Sequence, residues 1–136
     1  MQTPQAVTAM DIELTVNGER VVHRVPVRQN LADFLRDTLG LTGTHVGCEH
    51  GVCGACTVRC DGAIVRACLM LAVQADGTDI VTIEGAASAG DNAEVMVELQ
   101  REFHQRNALQ CGFCTPAMLL IAAELVMRRP QADREE

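Results

Sequence analysis

The sequence predicts an α+β chain in two parts, with every strand signal in its first 86 residues and a helical remainder. Three observations predict this. Asn17-Gly18 and Asp61-Gly62 are both two-residue hairpin turns flanked by β-branched and apolar residues. Apolar stripes of helical period dominate only after the small-residue stretch Ala86 to Gly90. Between the two hairpins lies a run, Leu41 to Cys56, that is rich in Gly and Cys and has no period at all.

The first hairpin runs from Ile12, Leu14 and Val16 through the turn and back through Val21, Val22 and Val25. Pro26 closes it, and Asn30 is placed to cap a helix whose Leu31, Phe34, Leu35 and Leu39 recur at helical spacing up to Gly40. The aperiodic run that follows reads as an ordered loop, with bound metal as the expected source of order. Thr57 to Cys60 and Ala63 to Cys68 form the second hairpin, which brings Cys56 and Cys68 side by side. Ile80, Thr82 and Ile83 predict one more strand, and a domain boundary is expected near Ala86, giving units 1–86 and 87–136. Asp91 and Glu94 predict a capping box, Val95, Leu99 and Phe103 the stripe of the helix it opens, and Thr115-Pro116 the start of a second helix reaching about Met127.

Composition narrows the function. The chain has 48% hydrophobic residues but no Trp, no Tyr and only three Phe, so Val, Leu, Ala and Cys must fill its core. All eleven basic residues are Arg, and a net charge of -7 repels nucleic acid and anionic membranes, so neither is an expected partner. Met1 to Met10 lacks the pattern of an export signal, and Ala117 to Met127 is too short to span a bilayer and carries Glu124. A soluble, cytoplasmic protein is expected, and there seven cysteines point to metal or redox use rather than disulfides.

Cys48, Cys53, Cys56 and Cys68 have the spacing C-x4-C-x2-C followed by a distant Cys, the plant-type arrangement for a [2Fe-2S] cluster. Gly47, Gly51 and Gly54 let the intervening backbone curl and aim N–H groups at the sulfurs. A structural zinc site and a set of buried, metal-free thiols are the competing readings. Cys111 and Cys114 are ambiguous by themselves, since C-x2-C serves thioredoxin-like pairs, zinc half-sites and half a cluster. Cys60 reads as a small buried residue, and His23, His45, His50 and His104 as surface or loop residues. No paired carboxylates and no phosphate loop are present, so no catalytic residue is assigned.

The run from Thr42 through Cys48, Cys53 and Cys56 to Val58, taken with Leu109-Gln110-Cys111-Gly112-Phe113-Cys114-Thr115-Pro116, resembles the small iron-sulfur subunit of the xanthine oxidase family of molybdenum hydroxylases. Within that family the likeness is greatest to the small subunits of carbon monoxide dehydrogenase and related bacterial enzymes, and it extends from Asp11 to Pro130. The resemblance implies an N-terminal β-grasp, ferredoxin-like domain with its cluster on Cys48, Cys53, Cys56 and Cys68, followed by a helical domain with a second [2Fe-2S] cluster on Cys111, Cys114 and two further ligands. It implies that Gln110 lies near molybdopterin. It also implies a large subunit carrying molybdopterin cytosine dinucleotide, a medium subunit carrying FAD, and assembly as a dimer of heterotrimers. The implied function is electron transfer from molybdenum through the clusters to FAD. A free-standing ferredoxin-like carrier is the alternative. Two departures stand out: no cysteine follows Cys114, so the helical domain is expected to be incomplete at its C-terminus, and Ala117 replaces the usual Gly after Thr-Pro.

Overall fold

The computed structural model describes residues 4–135. The first hairpin forms as the pattern predicts, with β1 (Ala9–Val16) antiparallel to β2 (Glu19–Pro26). Its turn residues Asn17 and Gly18 both have positive φ, the conformation whose twist suits a two-residue hairpin. Alternation along β1 sends Ile12, Leu14 and Val16 inward. The second hairpin pairs β3 (Thr57–Cys60) with β4 (Ala63–Arg66), after which a 3-10 turn, Ala67–Leu69, carries Cys68. A short strand, β5 (Asp79–Val81), lies between the hairpins, parallel to β1 and antiparallel to β3. The order β2-β1-β5-β3-β4, with the helical crossover between the two hairpins, is the β-grasp arrangement expected from the family resemblance.

β5 is shorter than Ile80, Thr82 and Ile83 suggest, because Thr82 leaves the ladder for side-chain partners. Its N–H donates to Asn17 Oδ1 at 2.9 Å, and its hydroxyl is bonded to Asn17 Nδ2 and Glu84 Oε1. The first helix, α1 (Leu31–Asp33), also departs from expectation. Asn30 caps it, its side chain accepting from Asp33 N–H at 2.8 Å, but one turn later the chain widens into a π-type turn over Phe34–Thr38. Leu39 N–H reaches Phe34 O at 3.1 Å and Leu41 N–H reaches Leu35 O at 2.8 Å. The wider turn lets the sequence neighbours Phe34 and Leu35 both bury completely against the sheet.

In the second half, α2 (Ala93–Gln105) packs against α3 (Thr115–Arg128), which also lies over β3 and β4. Val95, Leu99 and Phe103 face Met96, Leu119, Leu120 and Ala123 in a second core. The predicted capping box does not form. Asn92, not Asp91, occupies the cap position, buried and without a side-chain bond to the helix, because α2 begins one residue later than the box requires. Ile64 and Val81 join this second core, so the sheet's two faces serve different halves: one covers α1, the other the helical pair. Arg59, in register with both Ile64 and Val81, shares their face.

Candidate iron-sulfur centre

The loop from Leu41 to Cys56 is ordered from outside before any cysteine is reached. Arg36 donates from one guanidinium nitrogen to the carbonyl oxygens of Thr42 and Thr44, each at 2.9 Å, and Gly43 N–H donates to Glu84 Oε2 at 2.8 Å. Beside the order that bound metal is expected to supply, the loop's entry is held by one arginine and one glutamate. The far side is closed by β3 and β4, whose Arg66 donates to Thr57 Oγ1 at 2.8 Å while Thr57 Oγ1 donates to Gly54 O at 2.6 Å.

Within that frame the four thiols form two pairs. Cys53 N–H points at Cys48 Sγ, 3.4 Å away, and the β3-β4 hairpin brings Cys68 N–H to 3.5 Å from Cys56 Sγ. Ala55 N–H points at Cys53 Sγ at 3.4 Å. Cys56 is buried, Cys48 and Cys68 half-buried and Cys53 exposed, so the set opens on one side to solvent. The environment separates the thiols. N–H groups of Cys53, His50 and Val52 draw Cys48 down to about 6, whereas burial, followed by the neighbouring Cys56, pushes Cys68 up to about 11.

This donor set fits a binuclear iron-sulfur cluster. Two thiolate pairs would supply two ligands to each iron, and N–H groups already aim at sulfur, as a cluster's negative charge requires. Among the described residues no three His, Cys, Asp or Glu side chains gather as the donor set of one ion. The three predicted loop glycines act in two ways. Gly51 and Gly54 hold positive φ, at +82° and +72°, while Gly47 has ordinary backbone but no room, since a Cβ there would lie 3.1 Å from Cys53 Sγ.

The second motif occupies the loop between α2 and α3. Cys114 sits at the cap position of α3, Cys111 one turn earlier, and both are exposed, as is Gln110 beside them. Thr115 N–H to Gly112 O at 3.3 Å and Met118 N–H to Cys114 O at 3.0 Å shape the turn, with Pro116 in the first turn of the helix. The extra methyl of Ala117 is buried in that turn. Two rings missed as a pair by sequence reasoning join the loops: His45 stacks on Phe113 at 4.7 Å between centroids and 19° between planes, and its Nδ1–H donates to Phe113 O at 2.6 Å. Their separation of 68 residues leaves no local signal. Cys60, expected to be buried, is half-buried and packs beside the first core.

The comparisons with known proteins agree with this geometry. Residues 14–80 match the 2Fe-2S iron-sulfur cluster binding domain and residues 82–136 the [2Fe-2S] binding domain family. The nicotine 6-hydroxylase small subunit of Paenarthrobacter nicotinovorans is 46% identical over all of this chain and 79% of its own length. This chain belongs to the small iron-sulfur subunits of the xanthine oxidase family of molybdenum hydroxylases. A second member, the caffeine dehydrogenase subunit gamma of Pseudomonas sp. (strain CBB1), is 58% identical over 80% of this chain, which spans 63% of that subunit. Among solved structures, quinoline 2-oxidoreductase from Pseudomonas putida 86 superposes with a TM-score of 0.83 at 46% identity, over 95% of this chain and 77% of that one. Aldehyde oxidoreductase from Desulfovibrio gigas gives 0.79 at 39% identity, where the iron-sulfur subunit covers 14% of the longer chain.

Proposed function

We propose that this subunit relays electrons from a molybdenum centre on a large partner subunit to FAD on a medium one, through [2Fe-2S] clusters held by its own thiolates. The observation that carries the reading is the pairing of Cys48 with Cys53 and of Cys56 with Cys68, each pair marked by a backbone N–H aimed at a partner's sulfur. When bound, each cluster accepts and returns one electron at a time. The chain's residues hold and tune. The four thiolates ligate the first cluster, Gly47 gives it clearance, Gly51 and Gly54 turn the backbone around it, and Cys111 with Cys114 supplies half the ligands of the second. In this reading Gln110, exposed beside Cys111, meets the pterin of the large subunit.

The same reading divides the chain at residue 86 into a β-grasp unit and a helical unit, and places the complex, a dimer of heterotrimers, in the cytoplasm. No helix among the described residues is long and apolar enough to cross a membrane. Substrate choice falls to the large subunit. The relatives named above for caffeine, nicotine and quinoline make nitrogen heteroaromatics the first substrates to assay.

Iron and zinc per chain, with electron paramagnetic resonance of the dithionite-reduced protein purified with its partners, test the proposal. About four irons and two distinct signals are expected from two such clusters. Zinc without iron refutes the electron-transfer role.

A further inference from the structure

We infer that His45 is a positioning residue for the second cysteine loop, a latch that sets where Cys111 and Cys114 sit relative to Cys48 and Cys53. The inference rests on the electron-relay reading above. Its ground is geometric. His45 lies three residues before Cys48 and Phe113 lies between Cys111 and Cys114, so a contact between them joins the two loops by their shortest backbone connections. That contact is twofold: stacked rings, and an Nδ1–H bond of 2.6 Å to Phe113 O. It is the one hydrogen bond that joins the two loops among the described residues. The acceptor is a carbonyl, so Nδ1 must carry the proton. Gly47 completes the seat. The place a Cβ would take there is 3.1 Å from Cys53 Sγ, a tight approach, and 3.5 Å from Phe113 Cε1, an ordinary contact, so Gly47 lies between the Phe113 ring and the first thiol pair.

A latch of this kind sets the gap that electrons cross, whereas a merely structural histidine stabilises the fold as a whole. The two roles separate in His45→Leu, with His45→Gln as the conservative variant whose amide N–H can reach the same carbonyl. Both are prepared in the intact complex. Amide hydrogen exchange is read in residues 108–114 and, as an internal reference, in the hairpin of residues 9–26. For His45→Leu, exchange in the loop should rise about fivefold, as loss of one hydrogen bond of ordinary net worth produces, with the hairpin unchanged. His45→Gln should recover part of it. Iron per chain should stay constant while the magnetic interaction between the two reduced clusters weakens. Unchanged loop exchange, or an equal rise in loop and hairpin, overturns the latch. A wild-type complex with a single cluster signal would refute the two-cluster relay instead, and the exchange result would still judge the latch.

Discussion

Gly54→Ala isolates how much of the first loop's shape depends on glycine. Gly54 is buried at φ +72°, and a Cβ there would lie 3.3 Å from the guanidinium carbon and one terminal nitrogen of Arg66. Left-handed backbone costs a non-glycine residue about 1–2 kcal/mol. Moving the guanidinium by a few tenths of an ångström strains its 2.8 Å bond to Thr57 Oγ1, and loss of a bond to a charged donor costs about 1.5–3 kcal/mol more. With the bond fully lost the sum is about 2.5–5 kcal/mol, a large share of an ordinary domain's stability. Gly18→Ala is the matched control: φ is +84° there, but nothing lies within 4 Å of its Cβ position, so only the backbone cost of about 1–2 kcal/mol applies. Denaturant unfolding of both variants with clusters in place measures the difference. Equal midpoints would refute the assignment of Arg66 as the wall behind Gly54.

Arg36→Met removes both carbonyl bonds that the arginine makes at the loop entry and should lower the unfolding midpoint and hasten iron loss to a chelator, with Glu84→Gln weaker in the same direction; both are read by iron release over time. In cluster-depleted protein, Cys48, drawn to about 6 by backbone N–H groups, is thiolate at neutral pH and protonates as pH falls through that value, so its alkylation should be half-maximal near pH 6. Cys68, pushed up to about 11 by burial, should resist until the solution is strongly alkaline; peptide mapping after iodoacetamide separates the two. Arg59→Met should raise the unfolding midpoint, because Arg59 Nε is buried without a partner among the described residues and Met fills similar space with no donor to satisfy. Cys111→Ala should remove one of the two paramagnetic signals and leave the other.

What the sequence made legible was local. Asn17-Gly18 and Asp61-Gly62 dictate their hairpins through backbone conformation, Asn30 caps its helix with its own side chain, and the β3-β4 hairpin brings Cys68 to Cys56 without reference to the rest of the fold. Where the pattern misled, a distant residue had intervened. Asn17 took Thr82 out of the ladder across 65 positions, and the packing of Phe34 and Leu35 widened a helix that their spacing alone would have kept regular. The cysteines were visible because their spacing is itself the signal. His45, Arg36 and Glu84 were not, because each acts through a contact with the loop that no periodicity encodes.

That difference carries over to how the two cysteine sites are built. The first loop is fastened at its entry by Arg36 and Glu84 and at its exit by Thr57 and Arg66, so the hydrogen bonds that frame its thiols all come from the β-grasp half. The second loop has no such frame. Its cysteines are exposed at the start of α3, and apart from its own turn its fastening is to His45, a residue of the first loop. Order therefore passes in one direction, from the β-grasp half outward. Substitutions that loosen the first loop should disturb both sites, whereas those at Cys111 or Cys114 should spare Cys48, Cys53, Cys56 and Cys68. In a relay that is a useful asymmetry: the more exposed site takes its position from the one that is fastened at both ends.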